Sequence, residues 1–165
     1  MSKNPRILVV DDDLVILRAT GRLLKSAGYE VINASTGSDA LRLAREQEPD
    51  LVLLDVVLLD MEGLEVCKRI KSDPALAGVH VMMLSGMRTD PNSQAEGLEA
   101  GADGYIARPI ANRELVARVQ AMLRIKAAEA SLKKERDFTE VVLNTVGALV
   151  VVLNQEGRIV RDNRT

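Results

Sequence analysis

The sequence predicts an α/β fold, a doubly wound sheet of five parallel strands, and three observations carry that prediction. Short apolar runs alternate five times with longer amphipathic stretches. Three of the runs are nearly continuous Val, Ile, Leu or Met, as strands buried on both faces require. Aromatic residues make up only 2% of the chain and tryptophan is absent, so the core must be aliphatic. Strict alternation of strand and helix at these lengths builds a parallel sheet with right-handed crossovers.

Taken in order, the first run is Arg6–Val10, and it ends in Asp11, Asp12 and Asp13. A helix follows over Leu14–Ala27, with Leu14, Leu17, Leu23 and Leu24 at helical spacing and Gly28 as its C-terminal cap. The second strand, Glu30–Ala34, precedes a helix over Ser38–Gln47 carrying Ala40, Leu41, Leu43 and Ala44. The third, Leu51–Asp55, leads to a helix over Leu64–Lys71 that breaks before Asp73-Pro74. The fourth, His80–Ser85, leads to a helix over Asn92–Ala100 that ends at Gly101. The fifth, Gly104–Ala107, precedes Arg108-Pro109 and a last helix that begins near Asn112.

The composition limits what this chain does. Its 165 residues fit one ordinary domain with a sizeable appendage, and 47% hydrophobic content is enough for a packed core. The 22 basic and 24 acidic residues leave a net charge of -2, which argues against direct nucleic-acid binding. A single cysteine, Cys67, precludes an intramolecular disulfide and fits a reducing compartment. No uncharged apolar run approaches membrane-spanning length, and the N-terminus is not a signal peptide. The expectation is a soluble, cytoplasmic protein without a membrane span.

Sheets of this kind bind ligands at the carboxyl ends of their strands. Strand one ends in Asp11-Asp12-Asp13, strand three in Asp55, strand four in Ser85, and strand five is followed by Arg108. If the strand order brings these ends together, carboxylates, a hydroxyl and a cation converge on one patch. Clustered carboxylates repel unless a hard cation neutralises them, and oxygen ligands suit Mg²⁺. Such a site favours phosphoryl transfer to a carboxylate. Taken singly, the pieces have plainer explanations. Asp13 reads equally well as a helix N-cap, and Ser85 before Gly86 as turn chemistry.

The motifs taken together carry more. Ile7–Asp12, Asp55 with Gly63, Met83-Leu84-Ser85-Gly86, Gly101-Ala102-Asp103-Gly104-Tyr105 and Arg108-Pro109 resemble, in order and spacing, the receiver domain of two-component response regulators. The resemblance implies a flavodoxin-like (CheY-like) fold over residues 5–123. It implies Asp55 as phospho-acceptor, with a histidine kinase or phosphotransfer protein as donor. It further implies Mg²⁺ held by Asp12, Asp55 and the Val57 backbone carbonyl, with Asp11 acting mainly through water. Ser85 would bind the phosphoryl group, and Tyr105 would turn with it as the switch aromatic. By that resemblance the only catalysis is the domain's own aspartyl phosphorylation and dephosphorylation.

Two departures stand out. Arg108 occupies the position where the family normally has lysine, an exchange that keeps charge but changes shape and hydrogen bonding. Leu59 stands where the family often has proline, which loosens the loop after the acceptor. Cys67 and His80 fit structural roles.

The last helix does not stop after ordinary length. From Asn112 to about Thr145 there is no proline or glycine, and Leu115, Val119, Met122, Ile125, Ala128, Leu132 and Val142 approximate a heptad seam. Residues 124–145 therefore read as a helical linker and a parallel coiled coil, which makes a homodimer. Residues 146–165 read as strand, turn and strand, resembling the start of a PAS-like sensory domain. A PAS domain needs roughly a hundred residues, so the expectation is a larger signalling protein whose further output is a histidine kinase, a diguanylate cyclase or another module.

Two rivals from other classes are weaker. Asp11-Asp12-Asp13-Leu14-Val15 also fits the nucleophile motif of haloacid-dehalogenase phosphatases, with Asp11 as nucleophile, Asp13 as general acid and Ser85 as phosphate ligand. No later strand supplies the paired acids that family needs, and Asp55 is left without a role. A phosphate-independent interaction module is the other rival.

Overall fold

Nearly continuous apolar strands send successive side chains to opposite faces, and this builds a core on each face of one sheet. A computed structural model of the chain describes residues 4–86, 91–145, 151–153 and 159–162. Its elements are β1 (Arg6–Val10), α1 (Leu14–Ser26), β2 (Glu30–Ala34), α2 (Gly37–Gln47), β3 (Leu51–Asp55), α3 (Gly63–Ser72), β4 (His80–Ser85), α4 (Pro91–Glu99), β5 (Gly104–Ala107), α5 (Asn112–Thr145), β6 (Val151–Leu153) and β7 (Ile159–Asp162). The first five strands form a parallel sheet in the order β2-β1-β3-β4-β5. All five strand bounds match the expectation, and the helices differ from it by a residue at some ends. A short 3-10 turn at Pro74–Leu76, which the sequence pattern did not flag, takes its cap from the Asp73 side chain.

Successive side chains of a strand face opposite ways, so Ile7 and Val9 join one core while Leu8 and Val10 join the other. On one face Val52, Leu54, Val81 and Met83 meet Ala40 and Ala44 of α2 and Val66, Cys67 and Ile70 of α3. On the other, Leu51, Leu53, Met82, Leu84 and Ile106 meet Leu17 and Leu24 of α1 and Leu115, Val119 and Met122 of α5. Burying each Val, Leu, Ile or Met side chain among these contributes about 1.5–3 kcal/mol.

Helix ends follow local chemistry. The Asp13 carboxylate accepts the Val15 and Ile16 N–H groups at 2.8 and 3.2 Å, so it caps α1. Gly28 (φ 93°) takes the left-handed turn after α1, where a Cβ would strain the backbone. The N-terminus of α2 is capped by the Thr36 hydroxyl, which accepts the Asp39 N–H at 3.1 Å, and also from outside its own segment. Asp60 accepts from the Gly37 N–H, the Ser38 N–H and the Ser38 hydroxyl at 2.8, 3.0 and 2.9 Å. Those hydrogen bonds hold the Asp60 carboxyl below its ordinary pKa.

Contacts divide the chain into two compact units, Met1–Lys126 and Ala127–Thr165. In the first, α5 contributes the buried Leu115, Val119 and Met122. Those three seam positions are thus taken up by the sheet, because an amphipathic helix lying on a sheet buries its stripe there. In the second, Leu132, Phe138 and Val141 are 67, 70 and 61% exposed. Strands β6 and β7 pair antiparallel, as expected, while the bend expected at Asn154–Gly157 lies outside the described residues. No helix among the described residues is long and apolar enough to cross a membrane.

Candidate functional site

In the order β2-β1-β3-β4-β5, the chain leaves β1 for β2 on one side and reaches β3 on the other. The carboxyl ends of β1 and β3 flank that reversal, where open α/β sheets bind ligands. Asp11 and Asp12 follow β1, and Asp55 is the last residue of β3. Carboxylate oxygens of Asp11, Asp12 and Asp55 lie within 4.8 Å of one another. Ser85 ends β4 as a buried residue, in register with Ala107 of β5. Its carbonyl accepts the Arg108 N–H at 2.7 Å, which seats Arg108 at the edge of the acid cluster.

The guanidinium then reaches across. Arg108 Nη1 donates to Asp11 Oδ2 at 2.8 Å and to Asp55 Oδ2 at 3.4 Å. The second Asp11 oxygen, Oδ1, accepts the Asp13 N–H at 3.0 Å. Asp55 Oδ1 accepts the Val57 N–H at 3.1 Å. Burial pushes the Asp55 carboxyl above its ordinary pKa. The Asp11 and Asp12 charges push the same way, against the Val57 N–H and Arg108. Among the described residues, the three carboxylates, when ionised, face one guanidinium, an excess of two negative charges.

The loop after Asp55 is folded back on itself. Val57 bridges to Glu62, and Gly63 donates its N–H to the Val56 carbonyl at 2.8 Å. A Cβ on Gly63 would lie 2.0 Å from the Asp55 carbonyl oxygen, so this approach admits only glycine. With Leu59 instead of proline, the loop is tied to α2 through Asp60, and Met61 packs where a Gly37 Cβ would stand.

A cavity of about 720 Å³ opens at this end, and Asp12, Asp55, Val57, Ser85 and Arg108 line it. Asp11, Asp12, Asp55, Val57, Ser85 and Arg108 are therefore brought together as the sequence suggested. Tyr105 belongs to the opposite core face, its ring beside Gly97 of α4. Sequence reasoning missed the apolar wall of the cavity, formed by Val15, Ile16, Ala19 and Leu23 of α1 with Pro109 and Ile110. A signal was present. Leu14, Val15 and Ile16 in succession are more apolar surface than one buried helix face can use, and they are 52, 77 and 38% exposed.

An Mg²⁺ ion fits the residues present. The donors are all oxygen, the uncompensated charge equals that of one divalent cation, and the carboxylate oxygens lie close enough to share it.

The family model for the response regulator receiver domain matches residues 7–120. The chain is 36% identical over 149 residues to the alkaline phosphatase synthesis transcriptional regulatory protein PhoP of Bacillus subtilis, covering 88% of this chain and 61% of the relative. It is 44% identical over 119 residues to the DNA-binding response regulator MtrA of Mycobacterium tuberculosis, covering 72% of this chain and 50% of the relative. The chain thus spans about half to three fifths of the length of these curated relatives. Among solved structures, a receiver domain protein (CheY-like) from Methanospirillum hungatei superposes with a TM-score of 0.72 at 33% identity, covering 77% of this chain and 99% of that one. A response regulator from Chloroflexus aurantiacus gives 0.70 at 35% identity, covering 74% and 99%.

Proposed function

The chain belongs to the response regulator receiver domain family, and from that premise we propose that Asp55 is its phospho-acceptor, served by Mg²⁺ and a phosphohistidine donor. The observation that carries this reading is the convergence of Asp11, Asp12 and Asp55 at the switch point. Asp12, Asp55 and the Val57 carbonyl would hold the ion, with Asp11 acting through water. The ion, when bound, offsets charge on the transferring phosphoryl oxygens.

An Asp55 carboxylate oxygen forms the new O–P bond while the P–N bond to the donor's imidazole breaks. The electron pair stays on that nitrogen, which then takes a proton. Arg108 is close enough to Asp55 to stabilise negative charge at the transferred group. Ser85, at the end of β4, accepts the role of phosphoryl hydrogen-bonding partner, and Tyr105 responds as the switch aromatic. The apolar wall at Val15 and Ile16 supports docking of a histidine-bearing helix from a kinase or phosphotransfer protein.

The proposed organisation is a receiver over 5–123, a helical linker over 124–145 that dimerises as a coiled coil, and the start of a PAS-like domain over 146–165. The exposed Leu132, Phe138 and Val141 support the linker reading. The near-balanced charge supports a chain that does not itself contact nucleic acid. The relatives' names, transcriptional and DNA-binding regulators, favour a second reading in which a DNA-binding output lies beyond this chain.

The test is mass spectrometry after treatment with acetyl phosphate and Mg²⁺. One added phosphoryl group is expected, absent from Asp55→Ala. Labelling that persists in the variant overturns the assignment.

A further inference from the structure

We propose that Asp60 is a positioning residue for phosphoryl transfer: it fastens the loop after β3 to the start of α2 and so fixes the Asp55 carboxylate through the Val57 N–H. The inference rests on the assignment of Asp55 as acceptor and adds a residue that acts on the reaction only through others.

The first amides of a helix have no partner within it. In α2, three of them are taken by two side chains. Thr36, just before the helix, accepts the Asp39 N–H at 3.1 Å. Asp60, 23 residues beyond Gly37, accepts the Gly37 and Ser38 N–H groups at 2.8 and 3.0 Å and the Ser38 hydroxyl at 2.9 Å. A carboxylate there makes charge-assisted bonds and gains from the helix dipole.

The next residue uses the same place. A Cβ on Gly37 would lie 2.5 Å from Met61 Cγ, 2.8 Å from Met61 Sδ and 2.9 Å from Val66 Cγ2. Met61 therefore rests on the Gly37 backbone, with Val66 of α3 beside it. One polar and one apolar side chain seat the loop tip on a single dipeptide. The seat is firm, because Ala40 and Ala44 of α2 are fully buried in the core.

From that seat the loop runs back to the acceptor. Val57 bridges to Glu62, and the Gly63 N–H reaches the Val56 carbonyl at 2.8 Å. Those ties close the loop upon itself, while the buried Leu58 and the Asp60–Met61 seat fix it to the domain. Leu59, 86% exposed, adds no anchor. At the loop's start the Val57 N–H donates to Asp55 Oδ1 at 3.1 Å, a bond that sets which way the carboxylate faces. Misplacing a reacting group by about an ångström costs up to roughly 10²-fold in rate.

The two caps of α2 supply the control: Thr36→Ala weakens the helix without touching the loop, whereas Asp60→Ala weakens the helix and frees the loop. The experiment uses the full chain with these variants and Asp60→Asn. Labelling of Asp55 is followed against acetyl phosphate concentration at saturating Mg²⁺, and the Val57 amide proton shift is read without either reagent. In Asp60→Ala the maximal labelling rate should fall about tenfold at an unchanged half-saturating concentration. Its Val57 amide signal should move upfield as the bond to Asp55 loosens. Asp60→Asn, which still offers an oxygen to the Gly37 N–H, should recover most of the rate. Thr36→Ala should lower the melting temperature as Asp60→Ala does, yet leave labelling and the Val57 signal unchanged. Labelling slowed as much by Thr36→Ala overturns the proposal, because Asp60 then acts only through the stability of α2. An unchanged maximal rate or an unmoved Val57 signal in Asp60→Ala overturns it as well. If the unsubstituted chain takes no phosphoryl group at Asp55, the acceptor assignment itself fails, and this inference with it.

Discussion

Val119 and Leu132 lie on the same helix, follow the same apolar spacing, and meet opposite environments. Val119 is 0% exposed against the sheet, whereas Leu132 is 67% exposed. In the first unit α5 is one layer of a closed core, with β4 and β5 beneath it. In the second, Leu132, Phe138 and Val141 of the same helix are exposed. Helix periodicity records that a face is apolar, not what covers it. The difference teaches that one continuous pattern meets two environments: a packed core up to Met122, and an exposed apolar stripe that includes Ile125 and Leu132.

The sharpest way to break this comparison is to add a single carbon where the first unit has no room. Gly63→Ala places a Cβ 2.0 Å from the Asp55 carbonyl oxygen and 3.0 Å from the Val56 Cα. Both are backbone atoms, so the loop or the strand must move. A loss of about 3 kcal/mol or more in denaturant unfolding is expected, with loss of phosphoryl labelling. Gly78→Ala is the internal control, because nothing lies within 4 Å of its Cβ. Equal stability for the two variants would show that the acceptor loop is not packed as described.

A smaller effect tests the two stretches of α5 directly. Val119→Ala should cost roughly 2 kcal/mol, as methyl groups are removed from a filled core. Leu132→Ala should change unfolding of a dilute sample by less than about 0.5 kcal/mol. Its expected consequence is weaker self-association, read by light scattering at micromolar concentration. A Leu132→Ala variant that unfolds as easily as Val119→Ala would mean that Leu132 is covered within its own chain.

Much of this was legible in the sequence because it is local. All five strand bounds follow from short aliphatic runs such as Leu51–Leu54, and Asp13 as a cap follows from its place before Leu14. The meeting of Asp11, Asp12 and Asp55 follows from strand order, which the alternation of strand and helix leaves open. What stayed hidden is long-range side-chain pairing. Arg108 and Asp11 are 97 residues apart, and Asp60 caps a helix that begins 23 residues earlier. No periodicity marks such pairs. Nor did spacing distinguish Leu115, Val119 and Met122, which the sheet covers, from Leu132, which it does not.

The smallest expected effect concerns charge, and it contrasts the covered acid site with the solvated tail. Burial and the neighbouring Asp11 and Asp12 carboxylates raise the Asp55 pKa above the ordinary 3.8. The folded state therefore binds this proton more tightly than the unfolded state does. The stabilising contribution of protonated Asp55 is complete below the ordinary carboxylate pKa and is lost as pH rises through the raised value. At pH 7 without metal, the ionised Asp55 thus burdens the fold, and Asp55→Asn removes the burden. The variant should melt a few degrees higher at pH 7 in the presence of a chelator, and the advantage should vanish near pH 3 to 4, a range set by about the ordinary Asp value. Glu140→Gln, at an exposed tail carboxylate, should leave melting unchanged. Saturating Mg²⁺ should reverse the order, since an ion bound only to the folded state stabilises the protein that holds it more tightly. If Asp55→Asn melts lower than the unsubstituted protein at pH 7 without metal, the Arg108 and Val57 contacts outweigh burial and repulsion. The acid cluster would then be a stabilising feature of the apo fold, and the contrast with the tail would have to be drawn from packing alone.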